Sequence, residues 1–375
     1  MTNFVVPMEW IGTAKRLVVK VGTSVLTELD QGRVAQYCVQ ALAAEVAALW
    51  RSGKQVVIVT SGAIGVGMGV LNLKGRPREL AKLQAAAATG QGRLMQWYST
   101  QFEKEGLHAA QILLTREDLE SPKRYRNAKA TLATLLGAGV VPIINENDTV
   151  SVEEIRYGDN DVLSAHVAVL IGADLLVLMS DVDRFRGPSG LQTVVTEITP
   201  ELRKAAGGTT KAVSTGGMRT KLEAAKIVMA SGIPMVFMNG RRPNALVKMV
   251  LEKEFCGTWF VPKKGLKLKG KQRWAMTGKP KGIILVDAGA REALVHRRNS
   301  LLASGVHGVE GNFREGDLVS VSETVSTQEF ARGIVNYSHL ELEKIKGLKS
   351  ETAAMLLGRK ASEVIHRDSL VILGA

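Results

Sequence analysis

Cysteine is nearly absent from this chain. Cys38 and Cys256 are the only two in 375 residues. They stand far apart, one in a helical pattern and the other beside a strand pattern, with no second Cys or His at metal spacing. They read as two reduced, buried thiols, and no disulfide framework is expected. Histidine is sparse too: six residues, scattered singly, support neither a zinc centre nor a His-based triad. The longest apolar stretch, Leu163 to Met179, is interrupted by His166 and Asp174, so it reads as a helix followed by a buried strand and not as a membrane span. The first residues lack both a basic region and a sustained apolar run, so no secretory signal is expected and the cytoplasm is the expected location. No Gly-x-x-x-x-Gly-Lys-Ser/Thr occurs, which excludes a P-loop. Gly65 to Gly69 reads Gly-x-Gly-x-Gly without a third glycine three residues on, a weak match to the dinucleotide fingerprint. Acid is in short supply: the net charge is +13, and from Lys263 to Lys281 there are basic residues and no acid. Either a polyanion partner or a solvated basic linker explains that run, the linker being the commoner cause.

What is present is a globular composition, 45% hydrophobic and 23% charged, long enough for two domains and a well-buried core. Apolar strands alternate with helical patterns. Leu17-Val-Val-Lys-Val runs into the turn Gly22-Thr23-Ser24, and a lysine inside a buried strand needs a partner or a task. Gln55 to Thr60 runs into Ser61-Gly62-Ala63. Glu79 to Gly106 is helical, with Thr89-Gly90 and Gln91-Gly92 marking a bend or break. Strands follow at Ala109 to Thr115, Val140 to Ile144 and Asp174 to Ser180. The fourth ends in Asn145-Glu146-Asn147-Asp148, and a hairpin-like segment, Val150 to Tyr157, leads to Gly158-Asp159-Asn160-Asp161 at the start of a helix. Asp148, Asp159 and Asp161, all at element ends, point to function more than to capping. This alternation predicts a mostly parallel sheet covered on both faces, with ligands at the carboxyl ends of its strands.

Ser214 to Lys221, Ser-Thr-Gly-Gly-Met-Arg-Thr-Lys, opens a further helix. Hydroxyls, two glycines, the unpaired N–H groups of a helix start and Lys221 one turn in together describe an anion site, most naturally for phosphate. Alone, the same fragment would be an ordinary capped helix. Beyond Lys263 short strands separated by Gly-rich turns, with one helical segment from Ala288 to Arg297, form a small β-rich module.

Six motifs in one order carry a resemblance: Val-Lys-Val-Gly-Thr-Ser (19–24), Val-Thr-Ser-Gly-Ala-Ile (59–64), Ile-Asn-Glu-Asn-Asp (144–148), Gly-Asp-Asn-Asp-Val-Leu-Ser-Ala (158–165), Ser-Asp (180–181) and Thr-Gly-Gly-Met-Arg-Thr-Lys (215–221). From Leu17 onward the chain resembles the amino acid kinase family, in particular its glutamate-phosphorylating members, which carry a carboxy-terminal PUA domain. The resemblance implies a three-layer αβα sandwich over residues 1–262, a basic linker over 263–278 and a PUA-like barrel over 279–375. It implies ATP-dependent phosphorylation of the γ-carboxylate of L-glutamate for proline synthesis, with Mg²⁺ on the nucleotide and no metal site in the protein.

Lys20 and Lys221 are expected at the phosphates and the transferring group, with Asp161 orienting both. Ser180, Asp181, Thr215, Gly216, Gly217, Met218, Arg219, Thr220 and Lys221 are expected to bind ATP. Ser61, Asp148 and Asn160 are expected to bind glutamate, Asp148 facing the α-ammonium. A homo-oligomer, dimer or tetramer, and proline feedback belong to the same expectation. Sister activities on acetylglutamate or aspartate are the alternative, as is RNA binding through the PUA-like module. Against RNA stands the dispersal of Trp274, Phe313, Phe330 and Tyr337. One departure falls after the fifth strand: family members continue Asp-x-x-Gly-Leu-Tyr where this chain has Arg184-Phe185-Arg186. About ten residues also precede the usual start.

Overall fold

The computed structural model describes residues 10–26, 35–150, 160–188, 190–206, 217–263, 268, 270–324 and 328–373. The expected hairpin-like segment after Val150, the residues Gly158 and Asp159, the start of the anion-site motif (Ser214, Thr215 and Gly216) and most of Lys264 to Lys269 lie outside these residues. The chain divides into two compact units, Met1–Leu119 with Tyr125–Leu266, and Glu120–Arg124 with Lys267–Ala375.

The first unit is built on an eight-stranded sheet. Its strands are β1 (Arg16–Val21), β2 (Gln55–Thr60), β3 (His108–Leu114), β4 (Val140–Glu146), β5 (Leu175–Ser180), β8 (Val194–Val195), β9 (Met235–Asn239) and β10 (Thr258–Phe260), with a small hairpin, β6 (Arg186–Gly187) and β7 (Gly190–Leu191), between β5 and β8. The spatial order is β3-β4-β2-β1-β5-β9-β10-β8. All neighbours are parallel except β9 and β10. A parallel sheet needs crossover helices on its faces, and the central strands are accordingly buried almost throughout. In β1, Leu17, Val19 and Val21 point into one apolar core with Val56, Ile58, Leu175 and Val177. Period-two alternation sends Val18 and Lys20 to the opposite face, the one against which the Asn160–Ile171 helix packs.

Two glycines turn out to serve packing. The Leu80–Lys104 helix is continuous, without the break expected at Thr89 to Gly92. A Cβ on Gly90 would stand 1.8 Å from the Ala63 carbonyl oxygen, and one on Gly67 1.8 Å from that of Ala86. The Ala63–Val70 helix therefore lies backbone against backbone on the long helix, which removes the remaining case for a dinucleotide fingerprint. The departure at Arg184-Phe185-Arg186 also finds its reason. Phe185 is buried, its N–H donates to Thr258 Oγ1 at 2.9 Å, and its ring meets Phe260 edge-on at 6.1 Å. A buried aromatic anchors the loop.

The second unit has its own core around a five-stranded sheet, order β12-β11-β13-β14-β15, with β11 (Gly282–Val286), β12 (Val306–Gly311), β13 (Leu318–Glu323), β14 (Glu329–Ile334) and β15 (Leu370–Ile372). Only β11 and β13 pair in parallel among these neighbours. Within the stretch expected as a linker, Gly270–Thr277 is a helix, its Trp274 and Ala275 buried and its Gln272 amide donating to the Leu370 carbonyl at 3.0 Å. The lysine count concealed that apolar side, because long basic side chains can lie over an apolar face with their charge in water. Two further helices, His339–Ile345 and Ser350–Leu357, were not expected. The first carries a full capping box between Ser338 and Glu341, a signal readable in the sequence.

Candidate functional site

The site gathers at the carboxyl ends of β1, β2, β4, β5 and β9. Register places Lys20 beside Val59 and Leu178, so Lys20, Ser61 and Ser180 emerge along one sheet edge. The Asn160–Ile171 helix begins over this edge and carries Asp161 in its first turn.

Asp161 is the centre of the arrangement. Its Oδ1 lies 2.5 Å from Lys20 Nζ and its Oδ2 lies 2.9 Å from Lys221 Nζ, and all three side chains are buried. Thr220 Oγ1 shares its proton between the Gly217 carbonyl at 2.8 Å and the same Oδ2 at 3.3 Å. Lys221 arrives from the Met218–Ala230 helix, whose cap residue Gly217 makes no side-chain capping bond. The first N–H groups of that helix lie at its positive end and have no partner within the helix. The Lys221 ammonium also stands 6.0 Å from the centroid of the Phe237 ring on β9. Two ammonium groups share one carboxylate, so these three side chains carry a net positive charge in a nearly dry place. Such a site attracts an anion.

A chain of amides borders the trio. Asn160 Nδ2 donates to the Thr60 carbonyl, to Ser61 Oγ at 3.2 Å and to Asn145 Oδ1 at 2.7 Å. Asn145 Nδ2 in turn donates to Gln91 Oε1 at 2.7 Å. Beneath, the Tyr98 hydroxyl bonds Thr60 Oγ1 at 2.9 Å, and burial raises the phenol's pKa well above its usual range, so it stays neutral. Asp148, half-buried, lies two residues beyond β4.

On the other side Ser180 Oγ donates to Asp181 Oδ1 at 3.1 Å, and Gly240 N–H donates to the Ser180 carbonyl at 2.8 Å. Next to this turn a cavity of about 300 Å³ is lined by Asp183, Leu191, Met238, Asn239, Arg242 and Cys256, among others. Hydrogen bonds from Asn239 and Arg242 hold the Asp183 carboxyl below its usual pKa, and burial pushes the Cys256 thiol up to about 11.

Of the expected residues, the structure thus joins Lys20, Lys221, Asp161 and Thr220 directly, and links Ser61 to Asn160. Gly217, Met218 and Arg219 form the helix start beside them, while Ser180, Asp181 and Asp148 end neighbouring strands. Asn145 and Gln91 were not singled out. An Asn ending an otherwise apolar strand was the available signal for the first; Gln91, one of four glutamines in its helix, gave none.

The amino acid kinase family model matches residues 15–239, and the PUA domain model matches residues 282–356. A glutamate 5-kinase from Carboxydothermus hydrogenoformans is 47% identical over 374 residues, spanning 97% of this chain and 99% of its own. Another from Geobacter sulfurreducens is 47% identical over 372 residues with the same coverage, and one from Caldanaerobacter subterraneus is 46% identical over 367, covering 96% and 98%.

Proposed function

The chain belongs to the amino acid kinase family, and from that membership we infer its reaction: transfer of the γ-phosphoryl group of ATP to the side-chain carboxylate of L-glutamate, giving L-glutamyl 5-phosphate, the first step towards proline. The chemistry suits the residues. A γ-carboxylate with a pKa of roughly 4.3 is already ionised near neutrality, so no general base is needed. The barrier is electrostatic, because an anion must approach an anionic phosphate, and positioned cations and N–H dipoles lower it.

The observation that carries this reading is the clamp of Lys20 and Lys221 on the two oxygens of buried Asp161. We assign Lys20 to the β- and γ-phosphates and Lys221 to the transferring group, with Asp161 fixing the distance between them. The first N–H groups after Gly217 are assigned to the phosphates, and Thr215 and Gly216 are assigned to ATP with them. The Ser180–Asp181 turn and the adjoining cavity receive the nucleoside. Ser61 and Asn160 hold the glutamate, and Asp148 meets its α-ammonium. Among the described residues no three His, Cys, Asp or Glu side chains converge on one point. Magnesium enters as part of the MgATP substrate, bound by phosphate oxygens and water, where it neutralises phosphate charge. A homo-oligomer, inhibition by proline and a cytoplasmic location complete the proposal; among the described residues no helix is long and apolar enough to cross a membrane.

The test is ADP release from ATP across a panel of glutamate, acetylglutamate, aspartate, carbamate and UMP. Turnover with glutamate is expected. Turnover with acetylglutamate and none with glutamate would overturn the assignment.

A further inference from the structure

The amide chain beside the clamp ends on a donor that meets no acceptor among the described residues. Its orientation is fixed from one end, because the backbone N–H of Glu146 can only donate, and it donates to Asn145 Oδ1 at 2.9 Å. Asn160 Nδ2, itself fixed by the Thr60 carbonyl, donates to that same oxygen. The Asn145 nitrogen must then face Gln91, which has to present Oε1 to it. Reversing either amide would set two N–H groups against each other. Gln91 Nε2 is thereby left over. It is buried, on a residue 9% exposed, and meets no acceptor among the described residues. Buried donors in folded proteins are nearly always satisfied, so an unmatched one bordering a binding site calls for a partner, which a bound substrate can supply.

The helix cannot carry this side chain elsewhere. Gly90, its neighbour, packs so closely on Ala63 that the Leu80–Lys104 helix is pinned to the Ser61–Ala63 turn. We propose that Gln91 belongs to the acceptor site, donating from Nε2 to the α-carboxylate of glutamate while its Oε1 fixes Asn145. The proposal rests on the reading of Ser61, Asp148 and Asn160 as the glutamate pocket. The γ-carboxylate has to lie at the lysine clamp, which Gln91 reaches only through Asn145 and Asn160. The other end of the substrate is the one whose ammonium faces Asp148, close in sequence to Asn145, and a carboxylate there suits an uncharged amide donor.

Gln91→Glu keeps an oxygen for Asn145 and replaces the N–H by a second oxygen; Gln91→Met removes both. KM for glutamate should rise on the order of tenfold to a hundredfold in Gln91→Glu, and at least as much in Gln91→Met, while KM for ATP moves less than about twofold. A folded Gln91→Glu enzyme with the wild-type KM for glutamate would overturn the proposal, as would equal rises in both KM values. Should the variants not fold, a crystal structure of the wild-type enzyme with glutamate decides: Nε2 within hydrogen-bond distance of the α-carboxylate supports it, and Nε2 bound to water or to protein refutes it. Absence of any glutamate-dependent ADP release by the wild type would instead sink the functional reading, and the proposal with it.

Discussion

Asp161 sets the energetics at the scale of single residues. Removing a carboxylate and two ammonium groups from water is expensive, and only their mutual attraction, with Thr220 adding a hydrogen bond, offsets it. The two kinds of substitution should therefore behave differently. Asp161→Ala leaves two buried like charges facing each other and should destabilise the unliganded protein by about 3–5 kcal/mol, read from denaturant unfolding. Lys221→Ala leaves a one-to-one pair of Lys20 and Asp161, so stability should change little. Its kcat should nonetheless fall by about 10²–10³ or more, because the cation at the transferring group is gone. A Lys221→Ala enzyme with wild-type turnover would remove Lys221 from the reaction.

Elements, more than residues, explain what the sequence could and could not reveal. The strand-to-turn boundaries at Lys20, Ser61 and Ser180 were legible, since apolar runs ending in Gly, Ser and Asp mark carboxyl ends whatever the tertiary context. That Lys20 and Lys221 meet on one carboxylate was legible only through the family resemblance, because it depends on the Asn160–Ile171 helix crossing β1, which local patterning does not encode. Gly90 was misread for the same reason: a glycine needed for helix contact and a glycine that breaks a helix look alike in one sequence. Gly90→Ala should drive Cβ into the Ala63 carbonyl, destabilise the protein by about 1–3 kcal/mol or more, and disturb the Ser61 turn, seen as a raised KM for glutamate.

The Asn160–Ile171 helix also carries a pH dependence. Burial, with a smaller contribution from the Arg116 charge, pushes His166 down to about 4. The unfolded chain protonates this group near 6.5 and the native state only near 4, so acid favours unfolding. The stability that neutral His166 maintains is complete above about pH 6.5 and is lost as pH falls towards 4. Melting temperatures of wild type and His166→Gln, compared at pH 7.5 and pH 5, should show a steeper acid loss in the wild type. Parallel losses would contradict this.

Across the whole molecule the two units have separate cores and, on this account, separate tasks. All the chemistry lies in the first. In the second, Trp274, Phe313 and Tyr337 are buried and Phe330 lies partly covered, with the Arg291 guanidinium 5.6 Å from its ring. Trp274, Phe313 and Tyr337 are therefore too buried to stack on a base, and the unit's positive charge is left to offer RNA phosphate contacts. A gel shift with bulk RNA should fade steeply as salt is raised, and binding that survives high salt would argue for a specific RNA site.

Transfer by the clamped lysines puts phosphate onto a side-chain carboxylate. It is tested most directly by trapping the product, since an acyl phosphate reacts with hydroxylamine to give a hydroxamate. With ATP, Mg²⁺ and L-glutamate the wild-type chain should form glutamyl hydroxamate, and Lys221→Ala should form almost none. Hydroxamate from acetylglutamate or aspartate and none from glutamate, or ADP formed without any hydroxamate, would contradict the account.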